Sequence, residues 1–315
     1  MSALTDHSIG DGLTREQIFS IRQLLCCGTG VAFGGRIHGL RDTMLPSEAC
    51  YSAAHVSKHP QMTSPRPELS IIIPSYNEER RLPKALKEIQ EYLSARPLRA
   101  EVVVVDDGSI DGTAALVENC RAQNPQLRLL SNGRNHGKGF SVRHGMLEAR
   151  GEIALFTDAD LSAPIGEADK LLAALRQDNY DVAIGSRALN RSLIQVHQPP
   201  ARELAGIIFN FMVRWITGVP FSDTQCGFKA FRCERTRIVF EQQRCEGFGF
   251  DPEVLFLARR HGLRIIEVPV RWAHDSGSKV HVMVDSIRMF AELLIIRWNA
   301  WMGRYPRTAS PKSSV

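Results

Sequence analysis

The chain has 315 residues, which is enough for one large α/β domain with appendages or for two smaller domains. Its composition, 43% apolar and 23% charged, is ordinary for a soluble globular protein. The formal net charge of +5 fits an anionic partner such as a nucleotide phosphate or a membrane surface. This excess falls well short of a polybasic tail, and we expect no nucleic-acid partner.

The cysteines and the apolar runs exclude further classes of protein. The seven cysteines have no regular spacing and form no Cys-x-x-Cys pair, so a zinc site is not predicted and we expect a reducing cytoplasm. No apolar run reaches the roughly 18 residues of a membrane-spanning helix. The N-terminus lacks a basic region followed by a long apolar core, so no signal peptide is expected.

Alternating strands and helices are predicted from Glu68 onwards. Residues 1–67 show no clear period and are predicted to form a poorly ordered extension, with one short helix over Thr14–Cys26. Strands are then predicted at Leu69–Pro74, Val102–Val105, Leu127–Leu130, Ile153–Phe156 and Asp181–Gly185. Helices are predicted between them at Glu78–Ala95, Gly112–Asn124, Lys138–Ala149 and Ile165–Gln177. The strands recur at intervals of roughly 30 residues, which is typical of the strand–helix units of a parallel sheet.

The alternation ends after Arg187. The elements predicted there are an apolar helix over Glu203–Thr217, a loop with short strand content over Gly218–Phe231, a helix over Asp251–His261 and a strand over Arg264–Trp272. An amphipathic helix is predicted over Val282–Trp301, where it could lie on a membrane surface or pack on the core. The polar tail from Gly303 is predicted to be disordered. We therefore predict one α/β domain over residues 68–275, with a mainly parallel central sheet flanked by helices, followed by a helix and tail over residues 276–315.

Pairs of acids follow two of the predicted strands. Asp106 and Asp107 come after the second strand, and Asp158 and Asp160 come after the fourth. Ligands of open α/β sheets bind beyond the carboxyl ends of the strands. Carboxylates there suit a hard divalent cation, Mg²⁺ or Mn²⁺, and the phosphate that it holds. Asp106 and Asp107 could alternatively hold ribose hydroxyls or a base imino group.

Other residues at strand ends suit a nucleotide. Pro74 fixes the turn after the first strand, where Glu78 can cap the helix and Tyr76 could stack on a base. Lys138 follows glycine at a helix start, an arrangement that favours a diphosphate. The cations that could bind phosphate oxygens of a second substrate are Arg187, Arg202 and Lys279.

Together these motifs resemble the family 2 inverting glycosyltransferases, which have the GT-A (Rossmann-like) fold. The segments that carry the resemblance are Ile71 to Glu78, Val104 to Thr113, Asn135 to Gly139 and Phe156 to Asp160. Later segments resemble the dolichyl-phosphate or polyprenyl-phosphate β-glucosyltransferase branch, namely Gly185 to Arg187, Asp223 to Lys229, Phe250 to Glu253 and Glu267 to Trp272. The resemblance covers about Leu69 to Ile296.

The resemblance implies a role for each matched residue. The nucleoside would be held by Pro74, Tyr76, Glu78 and Asp107. Asp158 and Asp160 would bind the metal and the donor diphosphate, Arg187 and Arg202 would receive the lipid phosphate, and Lys279 would contact the donor phosphates. The chain departs from the mannosyltransferase pattern in having Ser162 where a glutamine is frequent, and Gly206 where a serine is frequent.

The function that the resemblance implies is metal-dependent transfer of glucose from UDP-glucose to a polyprenyl or dolichyl phosphate, with inversion. Such an enzyme would act at the cytoplasmic face of a membrane as a peripheral protein. The alternatives are mannosyl transfer from GDP-mannose and a transferase with a soluble acceptor, for which Asp251 or Glu253 would be the base. A sugar-1-phosphate nucleotidyltransferase would instead need a glycine-rich loop near the first strand, where Ser75, Tyr76 and Asn77 stand.

Overall fold

The computed structural model describes residues 66–196, 200–273 and 282–306, without the side chains of residues 201–202 and 282–287. The predicted helix over Thr14–Cys26, nearly all of the predicted N-terminal extension and the predicted tail beyond residue 306 lie outside the described residues. So does Lys279.

A seven-stranded sheet forms the centre of the described domain. Its strands are β1 (Leu69–Ser75), β2 (Ala100–Asp106), β3 (Leu127–Ser131), β4 (Ile153–Thr157), β5 (Val182–Ser186), β7 (Phe228–Arg232) and β8 (Ile265–Pro269). Their order across the sheet is β3-β2-β1-β4-β7-β5-β8. All neighbouring pairs are parallel except those of β7, which runs antiparallel to β4 and β5. Two short strands, β6 (Ile194–Val196) and β9 (Trp272–Ala273), pair separately.

Helices cover both faces of this sheet. They are α1 (Leu82–Ser94), α2 (Thr113–Arg121), α3 (Lys138–Glu148), α4 (Ala168–Gln177), α5 (Pro200–Thr217), α6 (Cys233–Gln242), α7 (Phe250–Arg260) and α8 (Val282–Trp301). Successive residues of a strand point to opposite faces, so Ile71 and Ile73 of β1 join one core while Ile72 joins the other. Parallel strands buried on both faces explain the uninterrupted apolar runs of β1 and β2. The predicted α/β architecture is thus confirmed.

Several predicted boundaries differ from those of the structure. The segment over Gly218–Phe231, predicted as loop with short strand content, contains the start of β7 (Phe228–Arg232), and α6 was not predicted. The strand predicted over Arg264–Trp272 is divided between β8 and β9. Helix α1 begins at Leu82 instead of Glu78, because residues 78–81 form a turn that is bonded to the loop after β2.

The last helix has the predicted bounds and packs on the domain. Leu293 and Ile296 of α8 are buried in the same core as Val254 of α7 and Val213 of α5. Among the described residues, no helix combines the length and the apolar content needed to cross a bilayer.

Candidate active site

The loops after β1 and β2 are tied together at the carboxyl edge of the sheet. The backbone N–H of Asn77 donates to Ser109 Oγ at 2.9 Å, and Asn77 Oδ1 accepts from the N–H of Ile110 at 2.9 Å. The N–H of Glu78 donates to Thr113 Oγ1 at 2.8 Å. These bonds hold Asn77 in the left-handed region, at φ 54°, where asparagine is tolerated better than most residues. Tyr76, one residue earlier, is 37% exposed.

Asp107 anchors the loop that presents Lys138. Its carboxylate accepts hydrogen bonds from the backbone N–H groups of His136 and Gly137 and from Asn132 Nδ2, the last at 2.7 Å. Gly137 has φ 109°, and a Cβ there would lie 2.5 Å from Glu246 O, so only glycine fits this turn. The buried Asp106 accepts from the N–H of Ser109 at 3.2 Å. The predicted nucleoside role of Asp107 stays a prediction, while its observed partners give it a structural role.

Lys138 and Asp158 form an ion pair at the start of α3 and the end of β4. Lys138 Nζ lies 2.6 Å from Asp158 Oδ1 and 5.4 Å from the centre of the Phe156 ring. Burial alone would lower the pKa of Lys138, but the carboxylates of Asp158 and Asp251 raise it above its ordinary value. The Lys138 ammonium therefore stays charged at neutral pH and can form an ion pair with a phosphate.

Asp160 completes the acidic pair. Its Oδ1 accepts from the N–H of Ser162 at 2.9 Å, and its Oδ2 lies 3.9 Å from Arg81. Burial and the nearby Asp158 carboxylate raise the pKa of Asp160, since two neighbouring negative charges repel. Arg81 also donates to the Glu78 carboxylate at 2.7 Å, which places the predicted residue Glu78 beside the acidic pair.

The acidic pair fits a divalent cation that shares its coordination with a ligand. No group of three His, Cys, Asp or Glu side chains within residues 66–196, 200–273 and 282–306 could hold a metal by itself. Mg²⁺ and Mn²⁺ commonly bind through one or two carboxylates while phosphate oxygens and waters supply the rest. Asp158 and Asp160 match that donor set, and the mutual repulsion that raises the pKa of Asp160 would be relieved by a cation.

Arg187 is fixed at the end of β5 by a residue that the sequence did not identify. Asp223 accepts from Arg187 Nε at 2.7 Å, from its Nη2 at 2.8 Å and from its backbone N–H at 2.9 Å. Burial raises the pKa of Asp223, but the Arg187 guanidinium outweighs it and leaves the pKa below its ordinary value. The segment around Asp223 is held in turn by Glu267, which accepts from the N–H groups of Ser222 and Asp223. Both acids lie in motifs of the resemblance, which was the signal that could have identified them.

A cavity of about 380 Å³ opens beside Arg187. Its lining includes the polar side chains of Arg187, Arg191 and Gln225 and the apolar side chains of Ile207 and Phe211 of α5. Arg191 is paired with Glu203, which also lines the cavity. The guanidinium of Arg187 lies over the Trp272 ring, with its Cζ atom 5.2 Å from the ring centre. Of five N–H donors on an arginine side chain, two are used by Asp223, so the rest can reach an anion in the cavity.

The two carboxylates proposed as bases for a soluble acceptor are already engaged. Asp251 pairs with Lys229 Nζ at 2.5 Å, and both side chains are buried. Glu253 accepts from the N–H groups of Arg244 and Cys245 and from the Tyr305 hydroxyl. This geometry does not favour either residue as a free general base.

The predicted site residues are brought together only in part. Those at one edge of the sheet are Pro74, Tyr76, Glu78, Asp106, Asp107, Lys138, Asp158, Asp160 and Arg187. Arg202 lies in α5, but its side chain is outside the described residues, as is Lys279. Their roles stay predictions.

Comparison with known proteins agrees with this geometry. The family model described as glycosyl transferase family 2 matches residues 70–234. The dolichyl-phosphate beta-glucosyltransferase of Saccharomyces cerevisiae is 36% identical over 261 residues, covering 75% of this chain and 76% of the relative. The proteins of the same name from Drosophila melanogaster and Homo sapiens are 37% and 34% identical over 246 residues each, covering 74% of this chain and 75% and 76% of the relatives.

Solved structures share the fold. Glucosyl-3-phosphoglycerate synthase from Mycobacterium tuberculosis in complex with uridine diphosphate superposes with a TM-score of 0.51 at 18% identity, covering 78% of this chain and 82% of that one. A complex of the same enzyme with Mn²⁺, uridine diphosphate and glucosyl-3-phosphoglycerate gives a TM-score of 0.52 at 17% identity, with the same coverage. The predicted GT-A fold is therefore confirmed, and the chain belongs to glycosyl transferase family 2.

Proposed function

We propose that this protein transfers glucose from UDP-glucose to a dolichyl or polyprenyl phosphate, with inversion at the anomeric carbon. The observation that carries the acceptor assignment is the cavity beside Arg187, whose lining combines arginines with apolar side chains of α5. A phosphate attached to a hydrocarbon chain combines the same two kinds of chemistry. The relatives named dolichyl-phosphate beta-glucosyltransferases support the choice of sugar and acceptor.

The donor diphosphate is assigned to the edge of the sheet at β4. Asp158 and Asp160 would hold Mg²⁺ or Mn²⁺, which when bound would stabilise negative charge on the departing diphosphate. Lys138, paired with Asp158 and kept charged by it, lies at the helix N-terminus where a phosphate is favoured. The exposed Tyr76 and the turn after Pro74 would contact the nucleoside.

The acceptor phosphate needs no strong base. The second pKa of a phosphate monoester is about 6, so at neutral pH an oxygen is already ionised and nucleophilic. That oxygen forms a bond to the anomeric carbon as the bond to the diphosphate breaks on the opposite face, and no proton has to move. Arg187 holds the phosphate in position and reduces the repulsion between the two anionic substrates. The engagement of Asp251 and Glu253 agrees with a mechanism that lacks a carboxylate base.

Membrane contact is assigned to α5 and α8, at the cytoplasmic face of the membrane and in the manner of a peripheral protein. The two helices pack together and expose large apolar side chains to solvent, namely Leu204, Ile207, Ile208, Phe211 and Trp215 on α5 and Leu294, Ile295, Trp298 and Trp301 on α8. Tryptophans are favoured at membrane interfaces. Because Ile207 and Phe211 also line the cavity, a lipid could pass from the bilayer to Arg187 along α5.

A donor screen tests this proposal. We expect the purified chain to transfer glucose from UDP-glucose to a short polyprenyl phosphate in the presence of Mn²⁺, and to lose turnover when EDTA is added. A preference for GDP-mannose would change the sugar and the base but keep the acceptor. Transfer to a soluble sugar with none to polyprenyl phosphate would overturn the acceptor assignment.

A further inference from the structure

The side chain of Gln225 carries a hydrogen-bond donor that is buried without a partner among the described residues. Its Nε2 atom contacts no acceptor among the described residues. The residue lines the cavity beside Arg187, and its backbone N–H is fixed by a hydrogen bond of 3.2 Å to Asp223 Oδ1. Buried polar groups without partners are destabilising and uncommon in native proteins, so each one calls for an explanation.

Gln225 stands between the two proposed substrate sites. At one end of its segment Asp223 holds Arg187, and at the other end Gly227 packs on Asp158, where a Cβ would lie 2.0 Å from Oδ2. Gln225 is the middle residue of this short segment. The segment therefore joins the two proposed substrate sites, and Gln225 lines the cavity that holds Arg187.

We propose that Gln225 contacts the acceptor by donating a hydrogen bond from Nε2 to a phosphate oxygen held by Arg187. This inference rests on the proposed function, because it assigns a further contact to the same acceptor. An amide suits this position since it fixes the orientation of the phosphate without adding a further positive charge that would weaken the nucleophile. The Nε2 donor gains its partner when the acceptor binds, which explains why the described part of the chain supplies none.

Substitution of Gln225 by methionine, which keeps the length of the side chain and removes its donor, tests the assignment. In Gln225→Met we expect the KM for a short polyprenyl phosphate to rise about tenfold, as loss of a hydrogen bond to a charged group predicts. The KM for UDP-glucose should not change, and the melting temperature should stay the same or rise. Gln225→Glu should lose more acceptor affinity than Gln225→Met, because a carboxylate repels the phosphate.

Gln243 provides a matched structural control. Its Nε2 donates to the backbone oxygens of Gly139 at 2.8 Å and Cys245 at 3.1 Å, so Gln243→Met should lower the melting temperature. An unchanged acceptor KM in active Gln225→Met, a changed KM for UDP-glucose alone, or a drop in melting temperature like that of Gln243→Met would overturn the assignment. Absence of any transfer to polyprenyl phosphate by the unaltered protein would instead overturn the proposed function itself.

Discussion

At the residue scale, the candidate site is built from cations that are each paired with a carboxylate. Lys138 is paired with Asp158, and Arg187 with Asp223. The sequence identified both cations and the acid pair because each follows a strand or begins a helix. Asp223 was not identified as a partner, since its contact with Arg187 spans 36 positions in sequence and depends on the antiparallel course of β7.

Asp160 is expected to matter for catalysis and little for stability. Asp160→Ala should lower kcat at least about a hundredfold, because it removes one of two carboxylates that would hold the metal and diphosphate. Its melting temperature should not fall, because burial and Asp158 already disfavour the charged form. Turnover with Mn²⁺ and thermal unfolding measure the two effects. Asp178→Ala, an exposed carboxylate at the end of α4, is the control, and full turnover in Asp160→Ala would contradict the metal assignment.

Asp223 is expected to stabilise the fold in a manner that depends on pH. Asp223→Asn leaves the Arg187 charge without its carboxylate and should cost about 3–5 kcal/mol in the free energy of unfolding at pH 7. The folded pKa of Asp223 is lowered, so its contribution is complete above the unfolded value of about 3.9 and is lost as pH falls through the lower folded value.

Urea unfolding of the unaltered protein and of Asp223→Asn between pH 7 and pH 3 measures this contribution as the difference between the two. The difference in free energy of unfolding should be the same at pH 5 as at pH 7 and should decrease only below about pH 4. A difference that disappears between pH 7 and pH 5 would show that Asp223 is not held ionised by Arg187.

At the element scale, strands β1 to β5 and the helices α5, α7 and α8 were predictable, whereas β7 was predicted only as short strand content and α6 was not predicted. Strands β1 to β5 are apolar runs followed by turns, and the burial of β1, β2, β4 and β5 leaves little choice of structure. Strand β7 begins within a segment rich in Gly, Ser and Asp, where local preferences favour a loop, and its pairing with β4 and β5 is long-range. Long-range packing therefore makes β7 a strand, although the composition of the segment before it favours a loop.

The apolar faces of α5 and α8 predict vesicle binding. Trp215 and Trp301 are 79% and 75% exposed, so transfer of their rings to a bilayer would remove a large apolar area from water. The double change Trp215→Ser and Trp301→Ser should weaken co-sedimentation with lipid vesicles about tenfold or more. The control Ile110→Ser changes an apolar residue after β2 that is 89% exposed, and it should leave co-sedimentation unchanged. Equal binding by all three proteins would refute the assignment of these helices to the membrane.

At the scale of the whole molecule, a buried ion pair joins the sheet to α7 beneath the candidate site. Lys229 of β7 and Asp251 of α7 are 1% and 4% exposed, and Lys229 Nζ also donates to Cys226 O. Burial raises the pKa of Asp251, although Lys229 and Lys138 both act to lower it. Asp251 therefore interacts electrostatically with Lys138 of the candidate site and also forms the ion pair that joins α7 to β7.

The Lys229–Asp251 pair predicts a non-additive effect on stability. Lys229→Met should lower the free energy of unfolding by about 3–5 kcal/mol, because Asp251 would remain buried without a cation. Adding Asp251→Leu should recover most of that loss, since an apolar pair replaces an ionic one. Chemical denaturation of the single and double variants measures the coupling. If the loss in free energy of unfolding of the double variant equals the sum of the losses of Lys229→Met and Asp251→Leu, the two side chains are not energetically coupled.

The antiparallel strand β7 separates β4, which carries the acidic pair, from β5, which carries Arg187. Two inter-strand spacings set the gap between these strands at about 10 Å, independently of loop conformation. During transfer the two phosphates lie on opposite faces of one anomeric carbon, so the groups that hold them must lie close together, as two strands separated by a single strand allow. The backbone hydrogen bonds of the sheet would then fix the distance between the two substrate sites. An acceptor phosphate could reach the sugar without movement of either site.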